Sequence, residues 1–198
     1  MSEKKKQLAK ESNQSYRSVP IDEGYNEMIE GVRYEMQPSP VIIHQIVLVN
    51  IHDAIRNSCK PNGVILPAPV DVYFDKDNCL IPDLIFISNE NLNIIKQKRI
   101  EGAPDLVVEI LSPSTSKNDR QRKKLIYERF GVKEYWIVDS HHHTFEQFIL
   151  KENLYEFYKI YSFGEILTSP LFACISINLT DIFEDALRFE ERFSSNEG

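Results

Sequence analysis

One acid stands in the middle of a run of strand-forming residues. The stretch "GAPDLVVEILSPST" (102–115) is apolar from Leu106 to Leu111 except for Glu109. A glutamate between β-branched residues has no propensity reason to be there, and a buried carboxylate without a partner is costly or takes up a proton. Glu109 also lies near the C-terminal end of its strand, where α/β proteins place their sites. We therefore interpret Glu109 as a functional residue.

A second acid, Asp83, follows a proline in "LIPDLIFIS" (80–88). If the two strands are neighbours, Asp83 and Glu109 converge, and two like charges at a few ångströms repel unless a cation lies between them. Their hard oxygen atoms suit Mg²⁺ or Mn²⁺. The alternative is that Asp83 is a turn residue, because Asp is common in turns. Asp105 is excluded from a shared site, because four residues of strand separate it from Glu109 by about 13 Å.

A lysine in the helix that follows is the third candidate. Lys123 and Tyr127 are four residues apart and share a helix face. A lysine turned toward Glu109 can hold an attacking water or stabilise charge on a phosphate. The alternative is that "RQRKK" (120–124) is a solvated face, and we interpret Lys124 in that way.

The elements that would position these residues begin with two short strands within 25–37, around Gly31. A helix is predicted over about 41–58. Its apolar stripe includes Val41, Leu48, Ile51 and Ile55, and His44 shares that stripe at helical spacing. Two strand-rich segments, 63–75 and 78–88, then predict a hairpin around the turn "DKDN" (75–78).

The second half of the chain alternates strand and helix before a strand-rich tail. A strand at "APDLVVEILSP" precedes a helix over about 117–130, with Ser116 or Asn118 as its cap and Gly131 at its C-terminal end. Further strands are predicted at 133–139, within 144–161 and at 175–183, and "HHH" (141–143) is interpreted as a turn rather than a metal site. This order predicts an α+β fold with a mixed central sheet flanked by helices and extra C-terminal strands.

Composition limits the classes of protein. At 198 residues the chain is most simply a charged tail (1–15) and one domain (16–198). Neither a secretory signal nor a membrane span is evident, and three widely spaced cysteines without a CxxC motif favour a reducing cytoplasm with the thiols as small core residues. The net charge of −7 argues against tight nonspecific nucleic-acid binding, but not against an enzyme that meets a polyanion through a metal.

Taken together, these motifs resemble the Uma-two family of restriction-endonuclease-like proteins, within the PD-(D/E)XK nuclease superfamily. The resemblance runs from about residue 20 to residue 183. The segments that carry it are the hairpin with Pro82–Asp83, "GAPDLVVEILSPST", the pattern Asp119–Arg120–Lys123–Tyr127, and "GVKEYWIVD" (131–139).

The resemblance implies a restriction-endonuclease-like core and a Mg²⁺- or Mn²⁺-dependent endonuclease that hydrolyses nucleic acid, with DNA favoured as substrate. Asp83, Glu109 and the backbone carbonyl of Ile110 would hold the metal, and Lys123 would orient the attacking water. The family-like opening of the chain maps to Glu27 and His44. His44 would contact the phosphate or carry a proton, with a core histidine as the alternative. Glu27 is included among the candidate catalytic residues only because of the resemblance.

One departure from the superfamily motif supports a different function. The motif lysine two residues after the glutamate is replaced by Leu111. A non-enzymatic descendant of the nuclease fold, acting as a protein-interaction module, is therefore the alternative to the enzyme. Apolar segments at 79–88 and aromatic residues in the tail strands also predict a homodimer, because they offer more apolar strand edge than a monomer usually leaves open. The aromatic residues meant are Phe145, Phe148, Tyr155, Phe157, Tyr158 and Tyr161.

Overall fold

A computed structural model describes residues 26–35, 41–111 and 118–194. The predicted tail (1–15) and the cap candidate Ser116 lie outside these ranges. The strands are β1 (Asn26–Ile29), β2 (Val32–Glu35), β3 (Gly63–Pro67), β4 (Val72–Tyr73), β5 (Cys79–Leu80), β6 (Leu84–Ser88), β7 (Ile100–Glu101), β8 (Leu106–Ile110), β9 (Glu134–Asp139), β10 (Thr144–Lys151), β11 (Leu154–Ser162), β12 (Ile166–Thr168) and β13 (Ser176–Asn178). The helices are α1 (Ile42–Cys59), α2 (Lys124–Phe130) and α3 (Leu179–Ser194), with a 3₁₀ turn at Asn89–Ile94 and a π-helical turn at Asn118–Lys123 leading into α2.

A six-stranded main sheet in the order β11-β10-β9-β8-β6-β3 forms the centre of the molecule. β8 pairs antiparallel with β6 and parallel with β9, so the sheet is mixed, as predicted. Alternate residues of β8 enter two different hydrophobic cores. Leu106 and Val108 pack in the core that contains α1 and α3, whereas Val107 packs in the core that contains Tyr127 of α2. The fold class predicted from the sequence is confirmed.

The predicted hairpin is present and consists of two strand pairs, one nested inside the other. Its inner arms β4 and β5 pair around the turn at 75–78, where the Asp75 carboxylate accepts hydrogen bonds from the Asp77 N–H and the Asn78 side chain. Its outer arms β3 and β6 pair within the main sheet. The inner arms instead belong to a second sheet in the order β2-β1-β5-β4-β7. The hairpin therefore joins the β1–β2 segment to the edge of the main sheet.

Helix predictions agree with the structure except at two places. Gly131 ends α2 with φ +84°, a left-handed conformation that glycine adopts without strain. Val41 is 55% exposed and does not share the buried stripe of α1. The predicted strand at 175–183 is also wrong beyond Asn178, because α3 begins at Leu179. The apolar alternation of this segment resembles a strand, but Ile182, Phe183 and Ala186 follow at helical spacing and are buried.

Two of the three cysteines are paired, contrary to the expectation of reduced core thiols. A disulfide links Cys59, at the end of α1, to Cys174, 115 residues later, while Cys79 is free. Cys59 is buried in the core shared by α1 and α3, and Cys174 packs against that core. Spacing along the chain cannot reveal this pairing, because only the packing of α1 against the C-terminal region brings the two sulfur atoms together. Among the described residues, no helix is both long enough and apolar enough to cross a membrane.

The disulfide can be tested by counting thiols. We expect one reactive thiol per chain when the protein is purified without reductant and denatured, and three after reduction. Cys174→Ser should lower the free energy of unfolding by about 2–4 kcal/mol, because a cross-link that closes a long loop restricts the unfolded chain. The control is the same comparison in excess reductant, where the variant and the wild type should be equally stable. Three thiols before reduction would contradict the pairing.

Candidate active site

The carboxylate of Glu109 is buried and has cationic and phenolic partners. Its side chain is 2% exposed. Lys123 Nζ donates to Glu109 Oε1 at 3.1 Å, and the Tyr127 hydroxyl donates to the same oxygen at 2.5 Å. The predicted common face of Lys123 and Tyr127 is therefore observed, and it is turned toward β8. These donors offset the desolvation that an acid in the middle of a strand would otherwise suffer.

Lys123 is shared with a second buried acid. Its ammonium lies 2.8 Å from Glu27 Oε1, and that oxygen also accepts a hydrogen bond from the Ile81 N–H at 2.9 Å. The three charged side chains are at most 7% exposed. One ammonium therefore stands between two buried carboxylates, contributed by β1, by β8 and by the turn that precedes α2. Glu27, which the sequence supported only through the resemblance, is one of the two carboxylates of this cluster.

Tyr127 cannot serve as a base in this surrounding. Complete burial raises the pKa of its phenol well above the ordinary value, and the negative charges of Glu109 and Glu27 raise it further. The hydroxyl therefore stays protonated and acts as a hydrogen-bond donor to Glu109. Sequence reasoning used Tyr127 only as a marker of the helix face. The signal for its role was the four-residue spacing from Lys123, which places both groups over the same carboxylate.

Asp83 lies beside the same stretch of β8. Leu84 of β6 is opposite Val108, so Asp83 stands at the level of Glu109 on the adjacent strand. Its Oδ2 accepts a hydrogen bond from the Ile110 N–H at 2.7 Å and lies 3.3 Å from His44 Nε2. The register therefore places Asp83 and Glu109 at the same level of neighbouring strands, and a cation shared by their carboxylates stays a prediction.

His44 reaches Asp83 from α1. Its side chain is 6% exposed, and its second ring nitrogen, Nδ1, is buried without a hydrogen-bond partner among the described residues. A core histidine with both nitrogens satisfied does not fit this observation. His44 and Lys123 come from helices on opposite faces of the main sheet, and their partners lie on adjacent strands.

The oxygen atoms of Asp83, Glu109 and Ile110 are the candidate metal ligands. Asp83, Glu109 and the Ile110 carbonyl are hard oxygen donors within two neighbouring strands, the chemistry that Mg²⁺ and Mn²⁺ prefer. Within the described ranges, however, no group of three or more His, Cys, Asp or Glu side chains is arranged to hold a metal ion. A cation at this place would therefore depend on two carboxylates and a backbone oxygen.

Asp105 and the three histidines at 141–143 have structural partners and need no functional explanation. Asp105 lies in a separate cluster, where Lys133 and the Ser88 N–H are its partners at 2.6 and 2.8 Å. Burial raises the pKa of this carboxyl, but the hydrogen bonds outweigh it, and the net pKa lies below the ordinary value. The histidines at 141–143 form the turn between β9 and β10, as predicted. His142 Nδ1 lies 2.9 Å from Asp139 Oδ2.

Lys124 differs from the prediction of a solvated residue. It is half-buried, and its ammonium lies 3.5 Å from the centroid of the Phe148 ring. Desolvation lowers its pKa, against the opposing effect of Glu128 and Glu146. The two adjacent lysines thus have different surroundings, because they are about 100° apart around the helix. Lys123 contacts carboxylates, and Lys124 contacts an aromatic ring.

Comparisons with known proteins agree with this description. Residues 14–180 match the Uma2 family, described as "Putative restriction endonuclease". The chain therefore belongs to the Uma2 family of restriction-endonuclease-like proteins. Its fold is similar to the crystal structure of "a putative nuclease belonging to DUF820" from Anabaena variabilis, with a TM-score of 0.69 and 21% sequence identity over 84% of this chain and 93% of that chain. A search of curated proteins finds no match.

The buried charge cluster predicts unequal effects for the two lysines. Lys123→Met leaves two buried carboxylates without their ammonium, and we expect it to lower the free energy of unfolding by about 3–5 kcal/mol. Lys124→Met, the matched control, removes only a partly exposed cation–π contact and should cost about 1 kcal/mol or less. Urea unfolding at neutral pH measures both.

A double variant tests the electrostatic cause. Glu27→Gln with Lys123→Met removes one of the two uncompensated charges and should recover part of the lost stability. Equal losses for Lys123→Met and Lys124→Met, or no recovery in the double variant, would contradict the role of Lys123 as the common counter-ion.

Proposed function

We propose that this protein is a metal-dependent endonuclease that hydrolyses phosphodiester bonds of nucleic acid, with DNA favoured as substrate. The observation that carries the proposal is the pair Asp83 and Glu109 at one level of two adjacent strands, with the ammonium of Lys123 held against Glu109. Membership of the Uma2 family supports the same reaction class.

Asp83, Glu109 and the Ile110 carbonyl would hold Mg²⁺ or Mn²⁺, which supplies charge neutralisation at the phosphate and a bound water of lowered pKa. The residues of this chain then have separate tasks. Lys123 orients the attacking water and stabilises negative charge that develops on the phosphate. Glu27 holds Lys123 in place, and Tyr127 fixes the Glu109 carboxylate through its hydroxyl.

His44 has the geometry of a proton carrier. Nε2 faces the Asp83 carboxylate, which favours a proton on that nitrogen, and Nδ1 is the atom at which a proton could be taken or released. Asp83 in turn is oriented by the Ile110 N–H. Asp83 thus contacts both the His44 imidazole and the backbone of β8. A substitution of His44 should therefore change the position of the Asp83 carboxylate, which is one of the proposed metal ligands.

The metal prediction can be checked without a substrate. Mn²⁺ at millimolar concentration should raise the melting temperature of the wild type, because a ligand that binds only the folded state stabilises it by mass action. Glu109→Gln should abolish this response. Glu134→Gln is the matched control, since Glu134 is also a buried strand glutamate, but its partners are Trp136, Gln147 and Ser169. A response that survives Glu109→Gln would contradict the shared site.

Activity is then measured on single-stranded and double-stranded DNA and RNA with Mg²⁺ or Mn²⁺. Cleavage by the wild type, lost in Glu109→Gln and retained in Glu134→Gln, is the expected result. The alternative function, a non-enzymatic interaction module, is favoured by Leu111 in the position of the superfamily lysine. That alternative predicts no cleavage of any of these substrates by folded wild-type protein.

A homodimer in the cytoplasm, formed by one domain over 16–198, completes the proposal. The disulfide removes the cysteine argument for the cytoplasm, and part of the reasoning for the dimer also changes. β6 is buried and lies between β3 and β8, so residues 84–88 offer no open edge. Phe145, Phe148 and Tyr161 are likewise buried. The apolar edge that remains is β11, where Phe157, Tyr158 and Ile160 are about half exposed.

The dimer has its own test. Light scattering at micromolar concentration should give twice the 23.1 kDa mass of one chain. Phe157→Lys on the edge strand should return the mass to that of one chain, because a charge on an exposed strand edge opposes pairing. A wild type that already scatters as a single chain would rule the dimer out.

A further inference from the structure

A pocket of about 250 Å³ lies between the C-terminal half of α1 and the β3–β6 pair. It is separate from the candidate active site. Arg56, on its wall, is twelve residues along α1 from His44, a distance of about 18 Å. Phe86, another lining residue, is three residues along the strand direction from Asp83, about 10 Å away. None of the residues proposed for catalysis lines it.

Three basic side chains line one side of this pocket. His52, Arg56 and Lys60 follow one another at intervals of four residues and therefore share one helix face. Within the described part of the chain, neither Arg56 nor Lys60 has an ion pair with an acid, whereas His52 Nδ1 lies 2.9 Å from Asp53 Oδ1. Arg56 and Lys60 therefore place two positive charges on one side of the pocket.

Apolar side chains from both α1 and the β3–β6 pair complete the lining of the pocket. Ile55, Ile65 and Phe86 contribute to it. Gly63 permits the close approach of β3, because a Cβ at that position would lie 2.3 Å from the Ile87 carbonyl oxygen. Cys59, also in the lining, is tied by its disulfide to Cys174. The walls therefore come from the end of α1, which the disulfide ties to the C-terminal region, and from the β3–β6 pair packed beside it.

A purely structural account explains only part of this arrangement. Basic residues near a helix C-terminus are favoured by the helix dipole, an effect confined to the last turn. That effect accounts for Arg56 and Lys60 but not for His52, two turns earlier. It also does not account for a cavity below these side chains, since solvated cations need none.

We propose that this pocket binds the phosphate of a nucleotide, with the attached nucleoside lying against the apolar wall. Arg56 supplies paired N–H donors that match phosphate oxygens, and Lys60 and His52 add donors on the same face. The volume lies below the 300–1,000 Å³ typical of drug-sized ligands, so it limits the occupant to about one nucleotide unit. That unit comes either from a free mononucleotide or from one position of a single strand.

Calorimetric titration in EDTA separates this site from catalysis, because no divalent ion is then available to the carboxylates. The probes are inorganic phosphate, AMP and a single-stranded DNA dodecamer. Arg56→Ala with Lys60→Ala should weaken binding at least about tenfold, since each charge-assisted hydrogen bond lost costs on the order of 1.5–3 kcal/mol. Lys96→Ala with Lys98→Ala is the charge-matched control on an exposed surface and should change binding less than about twofold.

The probes also distinguish the two sources of the phosphate. Binding of AMP that depends on Arg56 and Lys60 assigns the site to a free nucleotide. Binding of the dodecamer alone, with the same dependence, assigns it to a strand, and the slope of log K against log salt should then fall by about 1.4 in the double variant. The titrations are made without a divalent ion and measure binding alone, so failure of the proposed catalysis would leave this result intact.

Three results would overturn the assignment. The first is that neither AMP nor the dodecamer binds. The second is equal binding by the Arg56/Lys60 and Lys96/Lys98 double variants. The third is inorganic phosphate binding as tightly as AMP, which would show that the apolar wall contributes nothing and that the nucleoside is not recognised. Both double variants change exposed or pocket-facing side chains, and circular dichroism verifies that each is folded before titration.

Discussion

The attraction between one buried ammonium and two buried carboxylates is the interaction on which the candidate site depends. Lys123 lies within 3.1 Å of both Glu27 and Glu109, and all three side chains are withdrawn from water. Removing Lys123 leaves two carboxylates without a counter-ion in a medium of low dielectric constant, which costs several kcal/mol. The cluster therefore constrains its surroundings, because β1, β8 and the turn leading into α2 must keep the positions that bring these charges together.

The remainder of the fold supplies those positions. The nested hairpin carries β5 next to β1 and, through Ile81, donates a hydrogen bond to Glu27. The ion pair between Arg129 and Glu30 connects α2 to the β1–β2 turn at the surface. On the opposite face of the main sheet, α1 presents His44 to Asp83, and its packing against α3 orients it. Elements that are far apart in the chain therefore contribute side chains to one place on the main sheet, where β6 and β8 are paired.

Two arrangements show how packing overrides local sequence signals. The sequence of β6 predicts an apolar strand at a sheet edge, yet β3 and β8 pair with both of its sides, and the edge strands of the main sheet are β11 and β3. The sequence positions of Cys59 and Cys174 predict two separate thiols, yet they form a disulfide because the end of α1 packs against the C-terminal region. In each case the deciding contact joins residues that are distant in sequence, and hydrophobic periodicity carries no information about such contacts.

Local pattern by itself determined the class of fold, most element bounds, the acid in the middle of β8, and the common face of Lys123 and Tyr127. These features follow from spacing along the chain, because strand and helix periods decide which side chains share a face. Only the tertiary structure decided that Glu27 shares Lys123 with Glu109, that His44 Nε2 faces Asp83, and that α3 replaces a strand after Asn178. The physical reason is that burial and pairing of charge depend on which distant elements pack together, and a one-dimensional pattern does not contain that choice.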